Sequence, residues 1–396
     1  MNYLTAVDDG FMDIPGGMGR VAWDVALMMR DRGHRVAMFC TKRLDQSPLR
    51  ETVEGVEILR YERPRLPSWH PQRDERAIAA AAELARRELG RERWDVVHMH
   101  SPLTGAGAID ALGSGPRYVY TMHSPAVLEQ RINWAAAGPI GWLKLALGLG
   151  RLRRLEERVL RPCAAIQTLS QYTREEIGRQ HGAEMQSRVV VVPHWRRSEL
   201  KRQHDMAAAR RLLGLPTDEK VFVTVRRHGP RYGIDDAIRA IGPLTTAHRC
   251  RFVVGGDGPM RPQLEALARD LGVAERVTFT GRLTDERLAL AYEAADLFVL
   301  PTRALECFGL IIQEAFAYGC PVLSSDSSAI PELMRPILPD FMYPAGDVAA
   351  LRAKAEAFLQ GRLVAPNGDT LVRHVDSLHG RDVVTPKLAA LLEARN

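Results

Sequence analysis

Short runs of Val, Ile, Leu and Phe recur along this chain without the polar alternation of a half-exposed strand, and a longer segment of helical period separates most of them. Strands of that kind are buried on both faces, which is what a parallel sheet covered by helices on each side demands. The first series reads Leu4–Val7, Val36–Cys40, Val96–Met99, Tyr118–Thr121 and Val189–Val192. A second reads Val221–Val225, Phe252–Gly255, Val277–Phe279, Leu297–Leu300 and Val322–Ser324. Helical periodicity marks Val21–Asp31, Ala77–Glu88, Arg151–Leu160, Asp235–Ala240, Gln263–Leu271 and Leu310–Ala317. The expected class is α/β, doubly wound.

The pattern restarts after the polar, basic stretch Arg196–Arg211, and 396 residues exceed what one compact core accommodates. Two Rossmann-like domains are therefore expected, residues 1–198 and 199–372, facing each other across a cleft. A terminal segment, 373–396, carries a short helix over Lys387–Arg395 after Thr385-Pro386. With 46% hydrophobic and 26% charged residues the chain is neither disordered nor fibrous. Its net charge of +6 is a mild bias toward anionic partners. No Lys/Arg block is interleaved with aromatics, so a nucleic-acid partner is not expected. Five scattered cysteines without a CxxC pair imply neither zinc nor a disulfide framework, and suit a reducing cytosol. The N-terminus has no basic segment followed by an apolar run, and the most apolar stretch, Trp134–Gly150, is too interrupted to span a bilayer. A cytoplasmic protein is expected.

Pro15-Gly16-Gly17-Met18-Gly19-Arg20-Val21-Ala22 leads into a helix, where backbone N–H groups and the positive dipole end favour phosphate. The segment fits the dinucleotide pattern GxGxxA, but the strand ends well before it, and the second strand runs into Thr41-Lys42 with no acid for a ribose. A structural glycine loop is the plain alternative. Glu306 and Glu314 follow the strand ending at Pro301, one in a loop and one on a helix starting near Phe308–Gly309. If wholly helical the segment separates them by roughly 12 Å, longer than a glycosidase pair. Two solvated glutamates are the alternative. Arg226, Arg227 and Arg231 lie at the carboxyl end of the second sheet, and guanidinium forks suit a pyrophosphate. His98 and His100 share a strand face, read as structural rather than metal ligands, because no third ligand is recognisable. His123, following a central strand, is the better candidate for a cleft residue.

Taken in order, these pieces resemble glycosyltransferase family 4, retaining enzymes of GT-B architecture. The resemblance is carried by Gly16-Gly17, Asp95–His100, Tyr120–His123, Arg227, Gly255-Gly256-Asp257-Gly258-Pro259, Phe279–Leu283 and the Glu306/Glu314 pair with Ala317–Val322. It covers nearly the whole chain, and it implies transfer of a sugar from a nucleoside-diphosphate sugar, UDP- or GDP-linked, with retention and without an obligatory metal or other cofactor. Carried over, Glu314 would hold the ribose hydroxyls and Glu306 the donor sugar. Arg227 would grip the pyrophosphate, helped by the Gly16 and Gly17 amides. Leu283 would face the base, the amides of Phe308, Gly309 and Leu310 would bind sugar or phosphate, and His123 would sit beside the transferred sugar. His123, Glu306 and Arg227 are thus the expected catalytic residues. The terminal helix would cross back onto the first domain.

The sequence departs from the family pattern in three places. Tyr232 stands where relatives carry a lysine, and Arg231 is expected to supply the second positive charge. Pro193-His194-Trp195-Arg196-Arg197 replaces the usual turn ending the first domain, and Ser327-Ser328 replaces a glycine pair. The resemblance leaves the acceptor open among a small molecule, a glycan and a lipid-linked group. A same-fold sugar phosphorylase or synthase, a nucleotide-sugar-binding protein without turnover, and an NAD-dependent oxidoreductase are the alternatives. Glu129–Leu160, with Trp134, Trp142, Lys144 and several arginines, reads as a long helix packed on its own sheet. Peripheral membrane contact is its second reading.

Overall fold

A computed structural model of the chain describes every residue except 15, 68–69, 71, 136–137 and 395–396, so Pro15 of the glycine loop lies outside the described residues. The contacts divide it into two units, Met1–His194 with Val384–Asn396, and Trp195–Val383. The first division falls at His194 rather than 198. Residues 373–383, expected in the terminal segment, belong to the second unit.

In the first unit, strands β1 (Asn2–Asp9), β2 (Arg35–Thr41), β3 (Arg50–Val53), β4 (Val56–Tyr61), β5 (Val96–Met99), β6 (Arg117–Met122), β7 (Ala165–Thr168) and β8 (Val189–Val191) form one sheet. Its order is β3-β4-β2-β1-β5-β6-β7-β8, parallel except for the β3–β4 hairpin. That hairpin escapes the sequence pattern because β3 is short and polar. It turns on Glu54-Gly55, both at positive φ (48° and 79°), the geometry that matches strand twist in a two-residue turn. The helix Gly17–Asp31 buries Val21, Ala22, Val25, Ala26 and Met29, a stripe at helical spacing. Leu4, Phe39, Val97 and Ile166 meet in one core, each buried side chain contributing about 1.5–3 kcal/mol.

The long basic segment is two helices, Ala126–Ala135 and Gly138–Leu160, rather than one. They pack together closely enough that a Cβ at Gly148 would meet the Trp134 ring at 2.7 Å. Trp142 is 65% exposed, but Arg153, Arg158 and Arg161 are engaged with Glu157, Asp110 and Glu75. The side chain of Lys144 lies outside the described residues. No helix among the described residues is long and apolar enough to cross a membrane.

In the second unit, β9 (Lys220–Val225), β10 (Cys250–Gly255), β11 (Val277–Gly281), β12 (Leu297–Leu300), β13 (Val322–Ser325) and β14 (Met342–Tyr343) form a parallel sheet. The order is β11-β10-β9-β12-β13-β14. Phe222, Ile238, Phe252, Phe298 and Ile312 lie in its core. The terminal helix spans Arg381–Glu393 and contains Pro386 within it, so Thr385-Pro386 does not start it. Pro386 sits near the helix beginning, where its missing N–H removes one early hydrogen bond. From Val384 on, this helix belongs to the first unit: Leu388 and Leu392 are buried, and Glu393 accepts from Arg32 (2.6 and 2.7 Å) and pairs with His34 at 2.8 Å.

Candidate functional site

The order of the second sheet reverses between β9 and β12. Loops leaving the carboxyl ends of strands at such a point diverge and leave a crevice. Arg226 leaves β9 there, and its Nη2 donates to Glu306 Oε2 at 2.6 Å, with the two side chains 11% and 14% exposed. Two guanidiniums pack on the Tyr232 ring, Arg226 at 4.7 Å and Arg231 at 4.4 Å from its centroid. Arg231 Nη2 also donates to the Tyr232 hydroxyl at 2.7 Å, and Nη1 donates to the Leu305 carbonyl at 2.6 Å. Where a lysine is expected from the resemblance, a tyrosine thus contacts two cations that both bond the loop carrying Glu306.

Arg227, expected to face the ligand, is exposed and makes no ion pair among the described residues. Arg226 takes the position against Glu306 because its N–H still bonds the Gly255 carbonyl at 3.1 Å, one residue beyond β9. Alternation then turns 226 inward and 227 outward. The phase of an all-apolar strand is not written in its composition. Gly256, at φ 101°, makes the close approach that this needs: a Cβ there would stand 1.9 Å from the Arg226 carbonyl oxygen. Leu283 lies beside this strand end, 3.3 Å from where a Cβ on Gly255 would be.

The loop itself is strained and latched. Leu305 (φ 61°) and Ser328 (φ 58°) are both left-handed, at about 1–3 kcal/mol each. The Leu305 N–H donates to Ser328 Oγ at 2.9 Å, Ala329 N–H donates to the Glu306 carbonyl at 2.9 Å, and Ser327 Oγ donates to the Arg303 carbonyl at 3.1 Å. The serine pair therefore holds the chain just before Glu306, and the Ala329 N–H holds its far side.

Glu314 sits half-buried on the helix Leu310–Ala317. Tyr292 donates to its Oε2 at 3.0 Å. Burial, then the Glu314 charge, holds the Tyr292 phenol well above its ordinary pKa, so it stays a donor. This helix begins at Gly309 with no side-chain cap and no acid in its first turn, leaving amide donors and the dipole available to an anion. Phe308 is buried edge-on against His379, 5.7 Å between centroids. Arg226 thus meets Glu306 and Arg231 the adjoining Leu305 carbonyl, while Glu314 has its own anchor in Tyr292.

Gly16, Gly17 and His123 belong to the first unit. Gly16 caps the helix Gly17–Asp31 without a side-chain bond, and a Cβ there would meet nothing within 4 Å. Gly19 is the glycine that packing requires: its Cβ would stand 2.7 Å from the Asp9 carbonyl. The intervening loop is pinned by Asp13, which accepts from the buried Arg60, from Arg43 N–H and from Ser47 Oγ, all at 3.0 Å. This is not the tight strand-to-helix turn of a dinucleotide site. At the β1/β5 reversal Asp8 accepts from Ser101 Oγ (2.8 Å), Thr104 N–H (3.0 Å) and Thr104 Oγ1 (2.6 Å).

A histidine cluster adjoins it. Tyr3 hydroxyl and His98 Nδ1 are 2.6 Å apart, His98 Nε2 and Thr121 Oγ1 2.6 Å, and His100 Nδ1 and His123 Nε2 2.8 Å. Burial pushes His98 and His123 down to about 3 and His100 well below its ordinary value. His194, the hinge departure, is buried and meets Asp24 Oδ2 at 3.0 Å. Among the described residues no group of three or more His, Cys, Asp or Glu is arranged to hold a metal ion.

The family model described as Glycosyltransferase Family 4 matches residues 15–196, and that described as Glycosyl transferases group 1 matches 205–367. The chain is 30% identical to a D-inositol 3-phosphate glycosyltransferase of Mycobacteroides abscessus, over 80% of this chain and 71% of that one. It is 29% identical to the Acidothermus cellulolyticus protein of the same description, over 91% and 84%. To the phosphatidyl-myo-inositol mannosyltransferase of Mycobacterium leprae it is 25% identical, over 91% and 90%. Among solved structures, sucrose-phosphate synthase from Thermosynechococcus elongatus superposes with a TM-score of 0.82 at 20% identity, covering 99% and 98% of the two chains. Anabaena HepE, in complex with UDP and glucose, gives 0.73 at 18%, covering 99% of each. With two Rossmann-like parallel-sheet units in the GT-B fold and both family models in sequence, this chain belongs to glycosyltransferase family 4.

Proposed function

We propose that this protein transfers a hexose from a UDP- or GDP-linked donor to an acceptor hydroxyl, with retention at the anomeric carbon. The observation that carries the reading is the pair of guanidiniums, Arg226 and Arg231, fixed beside Glu306 at the β9/β12 reversal. Two such forks match a diphosphate and stabilise the charge that develops on it as the glycosidic bond breaks. Arg226 takes the role first expected of Arg227, and Arg231 that of the absent lysine. Glu306 accepts from donor-sugar hydroxyls and Glu314 from the ribose. The Phe308, Gly309 and Leu310 amides receive sugar or phosphate oxygens, and Leu283 lies against the base. From the first unit, the Gly16 and Gly17 amides are assigned to the diphosphate and His123 to the transferred sugar. No metal is needed in this reading, because guanidinium and amide donors supply the positive charge.

Retention follows if the acceptor hydroxyl attacks the face the diphosphate leaves, passing its proton to the departing phosphate oxygen. The named relatives act on inositol-based acceptors by their descriptions. We assign the acceptor to the hydroxyl of a polyol or glycan, free or lipid-linked. The test is nucleoside-diphosphate release from UDP-glucose, UDP-GlcNAc and GDP-mannose with inositol phosphate and phosphatidylinositol as acceptors, followed by anomeric NMR of the product. Release above background, abolished in Glu306→Gln, and a retained anomer are expected. An inverted product, or turnover indifferent to Glu306, would contradict the reading.

A further inference from the structure

The buried histidines form two hydrogen-bonded sets whose proton directions can be worked out from their ends. Gln167 Nε2 donates to the Val192 carbonyl at 2.9 Å, so its Oε1 accepts from Thr121 Oγ1 at 2.7 Å. Thr121 has then used its proton and must accept from His98 Nε2–H, which leaves His98 Nδ1 to accept from the Tyr3 hydroxyl. Each hydroxyl and imidazole proton in that chain is spent, and His98 is a structural, neutral Nε2–H tautomer.

The second set is the pair His100 Nδ1 and His123 Nε2 at 2.8 Å. Only one proton lies between two neutral imidazoles, so one ring donates and the other accepts. His100 is 1% exposed and its other nitrogen, Nε2, is buried without a partner among the described residues. Were His100 the acceptor, Nε2 would carry a buried N–H with nothing to receive it, the rarer and costlier kind of orphan. A bare ring nitrogen there is the lesser penalty. His100 therefore carries its proton on Nδ1 and donates it. His123, accepting at Nε2, must carry its own proton on Nδ1, a nitrogen that makes no hydrogen bond among the described residues, on a side chain that is only part-buried.

We propose that His100 is a positioning residue: its Nδ1–H locks His123 as the Nδ1–H tautomer, so that His123 meets the bound substrate as a hydrogen-bond donor and not as a base. This rests on the assignment of His123 to the transferred sugar. A neutral N–H aimed at a sugar oxygen or departing phosphate oxygen suits a reaction in which the leaving group, not a side chain, takes the acceptor's proton.

The tautomer is read directly by long-range ¹H–¹⁵N correlation of the imidazoles at pH 7 in the unliganded full chain. His123 should show a protonated Nδ1 and bare Nε2. In His100→Asn the amide N–H replaces Nδ1–H, and both the tautomer and kcat should persist. In His100→Leu the single tautomer should be lost and kcat should fall about tenfold to a hundredfold at little change in donor KM. An Nε2–H tautomer of His123 in the wild type overturns the proposal, as does an Asn variant as impaired as the Leu variant at equal melting temperature. If the wild type turns over no nucleotide sugar, the functional reading fails, and the NMR result still decides the role of His100.

Discussion

At the scale of single residues, two adjacent arginines differ in what they do: Arg226 pairs with Glu306, and Arg227 is exposed. Arg226→Gln leaves Glu306 half-buried without its partner, a loss of about 3–5 kcal/mol for a broken buried pair. It should also lower kcat/KM at least about a hundredfold if the guanidinium meets developing phosphate charge. Arg227→Gln, at an exposed position, should shift stability by less than about 0.5 kcal/mol and kcat/KM by only a few-fold. Steady-state kinetics and urea unfolding on the two variants decide it, and equal damage in both would sink the assignment. The histidine cluster makes a second prediction. His98 and His123 are held at about 3 by burial, against an ordinary 6.5, so the folded state refuses protons that the unfolded chain accepts. Stability is then complete above pH 6.5 and falls as pH drops toward 3, by about 1.4 kcal/mol per pH unit for each such group. Between pH 7 and 5 His98→Asn should lose about 2 kcal/mol less than the wild type. An identical loss in urea titrations at the two pH values would contradict buried neutrality.

At the scale of elements, most strands were legible because a strand buried on both faces is apolar throughout, as in Val221–Val225; Ala165–Thr168 was not, because half of its buried residues, Gln167 and Thr168, are polar. What could not be read was phase and clasp. Nothing in Arg226-Arg227 says which one the strand end turns inward, because that depends on the Gly255 carbonyl pairing one residue past β9. The β3–β4 hairpin was missed because β3 is short and polar, β4 interleaves Glu57 and Arg60 with its apolar residues, and the turn signal is only Glu-Gly. Ser327-Ser328 stood out as an oddity; only packing shows that Ser328 latches the left-handed Leu305 peptide. The sequence positions of Glu306 and Glu314 were legible, but not their partners Arg226 and Tyr292, which come from distant elements. Gly256→Ala tests the element-level packing: a Cβ 1.9 Å from the Arg226 carbonyl, at φ 101°, forces the β10 loop away from β9. A destabilisation above about 2 kcal/mol by chemical denaturation is expected. Less than about 0.5 kcal/mol would mean that the two loops do not meet as described.

At the scale of the whole molecule, the chain leaves its first unit at His194 and rejoins it at Val384. The returning helix buries Leu388 and Leu392 in that unit and ends on an ion-pair cluster, Glu393 with Arg32 and His34. Arg117 Nη1 caps the Leu391 carbonyl at 3.0 Å. Deleting residues from Val384 on should therefore lower the melting temperature of the first unit by several degrees, at about 2–4 °C per kcal/mol, and leave the second almost unchanged. Calorimetry resolves the two transitions. A first transition that does not move would show that the helix does not support the unit to which its contacts assign it.

On the proposed function, the β9/β12 reversal of the second unit binds a nucleoside diphosphate. The most direct measurement is a thermal-shift panel of UDP, GDP, ADP, TDP and NAD on the wild type and on Glu314→Ala. A ligand at a hundred times its Kd stabilises by about 2.7 kcal/mol, a readable shift. One nucleoside diphosphate should raise the wild-type melting temperature, the shift should collapse in Glu314→Ala, and NAD should do nothing. A shift from NAD alone, or a diphosphate shift that survives unchanged in Glu314→Ala, would contradict it.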